Sequence, residues 1–87
     1  MKARGRPACA GYVVGFEVSK HDPTRVNWKV KVQAGPRALV GKKFCIESHH
    51  VPKNIHEGMD VLFDVDDHGV GKPVAINVFR VVIVANR

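Results

Sequence analysis

The stretch "RVNWKVKVQ" (residues 25–33) decides the fold. Val26, Trp28, Val30 and Val32 occupy every second position, and Asn27, Lys29, Lys31 and Gln33 fill the places between. A period of two is that of an extended strand with one face inward and one face in solvent. The reverse arrangement would bury Lys29 and Lys31 without partners, which is costly. The valine face is therefore expected inside and the lysine face outside.

The same period extends in both directions. "GYVVGFEV" (residues 11–18) reads as a first strand whose two glycines suit a bend, and "SKHDPT" breaks it. "AGPRALVGK" is a Gly/Pro loop, and "KFCIES" (residues 43–48) is a third strand. "HHVPKNIHEG" is a longer connection with one helical turn. "MDVLFDVD" (residues 59–66) is a fourth strand, "DHGVGK" a hairpin loop and "PVAINVFRVVIVA" (residues 73–85) a long fifth strand. No segment holds a helical period over three turns. Five strands punctuated by Gly and Pro predict an all-β domain. In so short a chain, closure into a small five-stranded antiparallel barrel best removes exposed edges. The five-stranded oligonucleotide/oligosaccharide-binding barrel, the OB-fold, has that strand count and a ligand face on its second and third strands. Residues 1–10 are expected to form a basic, flexible tail, with the barrel spanning residues 11–87.

Eighty-seven residues make one domain. A chain this size buries only about 60–65% of its unfolded surface, which leaves no room for a two-domain enzyme. The longest apolar run, "VVIVA" (residues 81–85), has the length of a strand and not of a membrane span. "ACAGYVVGF" is interrupted by glycines, a poor core for a secretion signal. Two cysteines, Cys9 and Cys45, fit a reducing compartment better than a disulfide framework. The expectation is a cytoplasmic protein, with association to a nucleoid or nucleus as the variant.

The net charge is +6, and it is unevenly spread. Residues 1–43 carry a net +8, residues 44–70 a net −5 and residues 71–87 a net +3. A basic half joined to an acidic segment points to an oriented contact with a polyanion. The competing reading is a domain whose charges mix in space. In the OB arrangement, Arg25, Lys29, Lys31, Lys42 and Lys43 fall on or beside the ligand-facing strands, with Lys20 and Arg37 in the flanking loops.

The stretch "NIHEGMDVLFDVDDHGVGKPVAINV" (residues 54–78) resembles the C-terminal half of a cold-shock domain. Glu57, Gly58, Val61, Phe63 and Val65 match that family's fourth strand. Pro73, Ala75, Asn77 and Val78 match the strand after its glycine-rich hairpin, and "GYVVGF" is similar to the family's opening strand. The resemblance implies an OB barrel that binds single-stranded nucleic acid by stacking bases on aromatic side chains. The motifs that carry this stacking depart from the family's pattern. Trp28 can take the first aromatic place, but Val30 stands at the second and Lys29 replaces a glycine. In the next motif, Cys45 stands for an aromatic and Glu47 for a histidine. Each stacked base contributes about 1–3 kcal/mol, so these losses predict weak stacking. Trp28 is the point of conflict: its periodicity puts it in the core, while the resemblance puts it on the ligand.

Other motifs have plainer explanations beside their functional ones. "RGRP" (Arg4, Gly5, Arg6, Pro7) matches the core of an AT-hook. In that motif glycine admits the backbone to the minor groove and two arginines enter its negative potential. The plainer reading is a basic tail that touches phosphate. Cys45, His49, His50 and His56 carry ligand chemistry, but their spacing is not that of a zinc site, and loop histidines explain them. Asp60, Asp64, Asp66 and Asp67 lack a second group across a cleft for acid–base work, and read as a solvated strand face. "GVGK" (residues 69–72) lacks the Ser/Thr of a phosphate loop and reads as a turn. No metal, cofactor or catalytic residue is assigned.

These readings converge on a non-catalytic nucleic-acid-binding protein. It would grip single-stranded DNA or RNA through Lys20, Arg25, Trp28, Lys29, Lys31, Arg37, Lys42 and Lys43. Arg4 and Arg6 would add contacts to duplex DNA. The alternative is a protein-interaction or assembly module, a monomer or weak homodimer, that meets a partner through the acidic segment Glu57–Asp67.

Overall fold

The computed structural model describes residues 8–67 and 71–82. Five strands follow in order: β1 (Cys9–Val18), β2 (Val26–Ala34), β3 (Lys43–Ile46), β4 (Asp60–Asp66) and β5 (Val74–Arg80). A 3-10 turn, Ser48–His50, lies between β3 and β4. The strands close into a barrel in the order β1-β2-β3-β5-β4, the all-β OB arrangement. Four of the five neighbour pairs are antiparallel, but β3 and β5 run parallel, with Cys45 opposite Val74 and Ile46 opposite Ala75. The uniformly antiparallel barrel is thus corrected at one seam, and the reason is parity. Directions cannot alternate all the way round a closed ring with an odd number of strands.

The inner face carries the core: Cys9, Val13, Val30, Val32, Ile46, Met59, Val61, Phe63, Ala75 and Val78. Val30 and Val32 point inward from β2 as the alternation predicts, with Phe63 among the fully buried side chains they join. Gly11 shows why the sheet can wrap so tightly. A Cβ there would stand 1.8 Å from the Lys31 carbonyl oxygen and 3.3 Å from the Phe63 ring, so a side chain has no room.

Several boundaries differ from the expectation. β1 begins at Cys9 and not at Gly11, so Ala8 to Ala10 belong to the barrel rather than to a tail. Cys9 pairs with Phe63 across β1–β4 and is buried, and the Ala8 amide donates to Asp64 Oδ1 at 2.8 Å. β3 stops at Ile46 because Glu47 turns to cap the 3-10 turn, its carboxylate accepting the His49 amide at 2.7 Å. β5 stops at Arg80, well short of Ala85. Its partner runs out there: the Val81 amide donates to Asp60 at the first residue of β4, and Gly58, at φ 89°, has already turned that chain away. Residues 83–85 of the expected strand, and Gly69 of the "GVGK" turn, lie outside the described residues.

Three register shifts bend the strands, the first between Ala10 and Gly11 in the β1–β2 pairing. Val13 pairs with Val30 and Gly15 with Lys29, so Val14 is an extra residue in β1. In β5 the register shifts around Asn77, which sits at φ 52°, a conformation that asparagine tolerates better than most residues. The Asn77 amide donates to His50 Nδ1 at 2.9 Å, and its side-chain amide donates to Asp64 Oδ2 at 3.2 Å. The bulge is therefore tied to both the 3-10 turn and β4. Among the described residues no helix is long and apolar enough to cross a membrane.

Candidate functional site

The outer face of β2 and β3 gathers the lysines that the alternation placed there. Lys31 stands directly opposite Lys43, and Lys29 directly opposite Cys45. Tyr12, across β1, completes the row with Lys31. Like charges directly opposite on a sheet destabilise it. Among the described residues no carboxylate pairs with Lys31 or Lys43. Lys29 differs: its Nζ lies 3.1 Å from Glu17 Oε1, and the hydrogen bond and charge of Glu17 hold its ammonium pKa above the ordinary value.

Beside this row a groove of about 500 Å³ opens, with Phe44, Cys45, Pro73 and Val74 as apolar lining. Lys29, Lys43 and Lys72 supply its charge. Lys72 and Pro73 arrive from the β4–β5 connection because β5 pairs in parallel with β3. The sequence reading missed these residues, and also Phe44. Only the strand order, with β5 returning beside β3, would have pointed to them.

A second cleft, of about 450 Å³, adjoins the first and shares Cys45 and Val74 with it. It exists because the β2–β3 pairing ends at Lys29 and Cys45, beyond which the two strands part. Val26, Trp28, Ile46 and Val51 give it apolar walls, and Arg25, Asn27 and Ser48 supply polar groups. Trp28 is half-buried: it packs against the core, as its periodicity predicts, and also borders the cleft. Its ring meets Phe16 in a tilted contact, with centroids 4.9 Å apart and planes inclined by 56°. Phe16 is itself 56% exposed. It was missed because the bulge at Val14 reverses the inward parity of β1 and sets Phe16 opposite Trp28.

The remaining candidates separate by location. Lys20 is exposed in the β1–β2 connection, at the Trp28 end of β2. Arg37 and Lys42 are exposed in the β2–β3 connection, at the Lys31–Lys43 end. Positive charge therefore runs along the full length of β2. Arg4 and Arg6 lie outside the described residues.

The β4 carboxylates sit elsewhere. Asp60, Asp64 and Asp66 alternate with the inward Val61, Phe63 and Val65 on β4, which lies between β1 and β5 and hydrogen-bonds to neither β2 nor β3. These carboxylates thus stand on a different stretch of the barrel wall from the lysine row. The cysteine and histidines disperse. His49 contacts Glu47 at 3.3 Å, His50 accepts from Asn77, and His56 Nδ1 lies 3.1 Å from the Glu57 carbonyl. Among the described residues no group of three or more His, Cys, Asp or Glu could hold a metal ion. Comparison with protein-family models, with curated proteins and with solved structures gave no match to this chain.

Proposed function

We propose that this protein is a non-catalytic nucleic-acid-binding barrel that holds a single strand of DNA or RNA along β2 and β3. The supporting observation is the opposed pair Lys31–Lys43, with which no carboxylate pairs among the described residues, extended by Lys29 and Lys72 along one apolar-lined groove. A row of like charges costs stability in the free protein. An anionic backbone removes that cost on binding, releases its own counterions and leaves the apolar floor for sugars and bases. The acidic strand β4, on another side of the barrel, orients the molecule in the field of the polyanion. Arg4 and Arg6 extend the grip, with duplex DNA as a second ligand.

Fluorescence anisotropy of labelled single-stranded DNA, single-stranded RNA and an A·T-rich duplex, titrated across salt, tests this reading. Log affinity should fall by about 0.7 per log unit of salt for each single-strand phosphate neutralised. Lys31→Glu and Lys43→Glu should each weaken binding and flatten that slope. An affinity indifferent to salt and to both substitutions would refute the proposal. A second reading, a protein-interaction module, rests on the exposed pair Leu62 and Phe79, directly opposite each other on β4 and β5 amid the acidic residues. It would become the better one if no oligonucleotide bound.

A further inference from the structure

We infer that the outer face of β1 is a two-fold contact with a second copy of this chain, in which Lys31 of each copy meets Asp60 of the other. The inference is independent of the nucleic-acid reading above. It concerns the wall where β1 lies between β2 and β4.

Register sets two neighbouring rows across these three strands. In one, Tyr12 on β1 stands opposite Lys31 on β2 and Asp60 on β4. In the other, Ala10 stands opposite Ala34 and Leu62. Lys31, Tyr12, Asp60, Ala10 and Leu62 alternate with buried neighbours and so face outward. The register shift between Ala10 and Gly11 adds Ala34 to that face, where it is exposed.

Each row is asymmetric about β1. The first runs positive, aromatic, negative, and the second runs small, small, large. A two-fold axis parallel to β1 reverses both rows in one operation. It sets Lys31 against a second copy's Asp60, and Asp60 against that copy's Lys31. It sets Leu62 against Ala34, whose side chain ends at Cβ and leaves room. Tyr12 and Ala10, on the axis, meet their own counterparts, ring beside ring and methyl beside methyl. The face is therefore its own complement in charge and in shape, which selects a second copy as its partner. Such a contact closes on itself, so assembly stops at a dimer.

The charges are available for it. Among the described residues neither Lys31 nor Asp60 forms an ion pair, and within one copy the strand β1 separates them. A contact two rows deep and three strands wide is smaller than the roughly 800 Å² per partner of a standard interface, so the dimer is weak and leans on its ion pairs. It also engages a lysine assigned to the proposed ligand, and at Lys31 the two partners exclude each other.

Sedimentation velocity of the full chain, without nucleic acid, tests the inference. At low salt and rising concentration it should show a monomer–dimer equilibrium. Salt at about 1 M, where the Debye length is about 3 Å, should shift that equilibrium toward monomer. Lys31→Glu and Asp60→Lys should each weaken the dimer about tenfold or more, since each sets two like-charge pairs in contact. Their equimolar mixture should regain it, because both ion pairs of the mixed dimer are again opposite in sign. If circular dichroism shows either reversal to be unfolded, Lys31→Gln and Asp60→Asn take their place, each expected to weaken the dimer severalfold. A chain that stays monomeric at low salt overturns the inference. So does a dimer that ignores these substitutions, or a mixture of folded reversals that fails to regain it. With no oligonucleotide present, each of these failures leaves the nucleic-acid reading standing.

Discussion

Glu17 holds one of the lysines assigned to the proposed ligand. Its carboxylate sits 3.1 Å from Lys29, which lines the groove, and under the proposed function it would compete with phosphate for the same ammonium. Surface ion pairs of this kind are weak. Glu17→Gln should therefore raise single-strand affinity only about two- to fivefold at low salt, with the gain vanishing at high salt. Anisotropy of the two proteins side by side would measure it. His50 has a structural task instead. Its Nδ1 accepts the Asn77 amide at the β5 bulge, which requires the proton of the neutral ring to reside on Nε2. His50→Ala leaves that part-buried amide without its acceptor and should cost about 1–2 kcal/mol in urea unfolding. The alternation of residues 25–33 made Lys29, Lys31, Val30 and Val32 legible at this scale, because a strand's period reports which side of its own sheet a residue faces. It did not reveal Glu17 against Lys29, since that contact joins two strands whose register only the bulge at Val14 sets.

At the scale of elements, β1 is the strand most constrained by close approach. Gly11→Ala forces Cβ into the Lys31 carbonyl, and β1 must separate from β2 to admit it. The substitution should destabilise by about 2 kcal/mol or more, as overpacking of backbone against backbone does, and a fall in thermal midpoint would register it. The 3-10 turn carries a pH dependence. The His49 amide, and then the His49 side chain, hold the Glu47 carboxyl below the usual glutamate range. A carboxyl lowered on folding stabilises the native state above its unfolded value, and that contribution disappears as pH falls through its folded value. The protection factor of the His49 amide should accordingly fall as pH drops through the lowered folded value of Glu47, and Glu47→Gln should abolish the change. The existence of each strand was legible in the sequence, but the ends of β3 and β5 were not. Both ends are fixed by partners: a cap at Glu47, and the start of β4 opposite Val81. Local pattern carries no record of where a neighbour stops.

Across the whole molecule, the two thiols measure how far the barrel opens. Cys9 is buried between β1 and β4, and burial, aided by the charge of Asp64, pushes its thiol pKa up. Cys45 is half-buried and borders both grooves. Alkylation with an uncharged maleimide should modify Cys45 first, and Cys9 only at the rate of global opening, with denaturant equalising the two. Bound oligonucleotide should protect Cys45 selectively. The fold class was legible from strand count and punctuation, whereas the groove was not, because Lys72, Pro73 and Val74 reach it through the parallel seam between β3 and β5. That seam also governs how the protein comes into being. The last strand made does not lie at an edge but fits between β3 and β4, and β1 reaches β4 across more than half the chain. During synthesis the ribosome must release β5 before the ring can close, so earlier strands wait with open edges and an uncovered core. Long-range closure of this kind is slow. For this protein the vulnerable interval lasts until β5 has emerged and docked between β3 and β4, and until then the groove lined by Lys72, Pro73 and Val74 is also unbuilt.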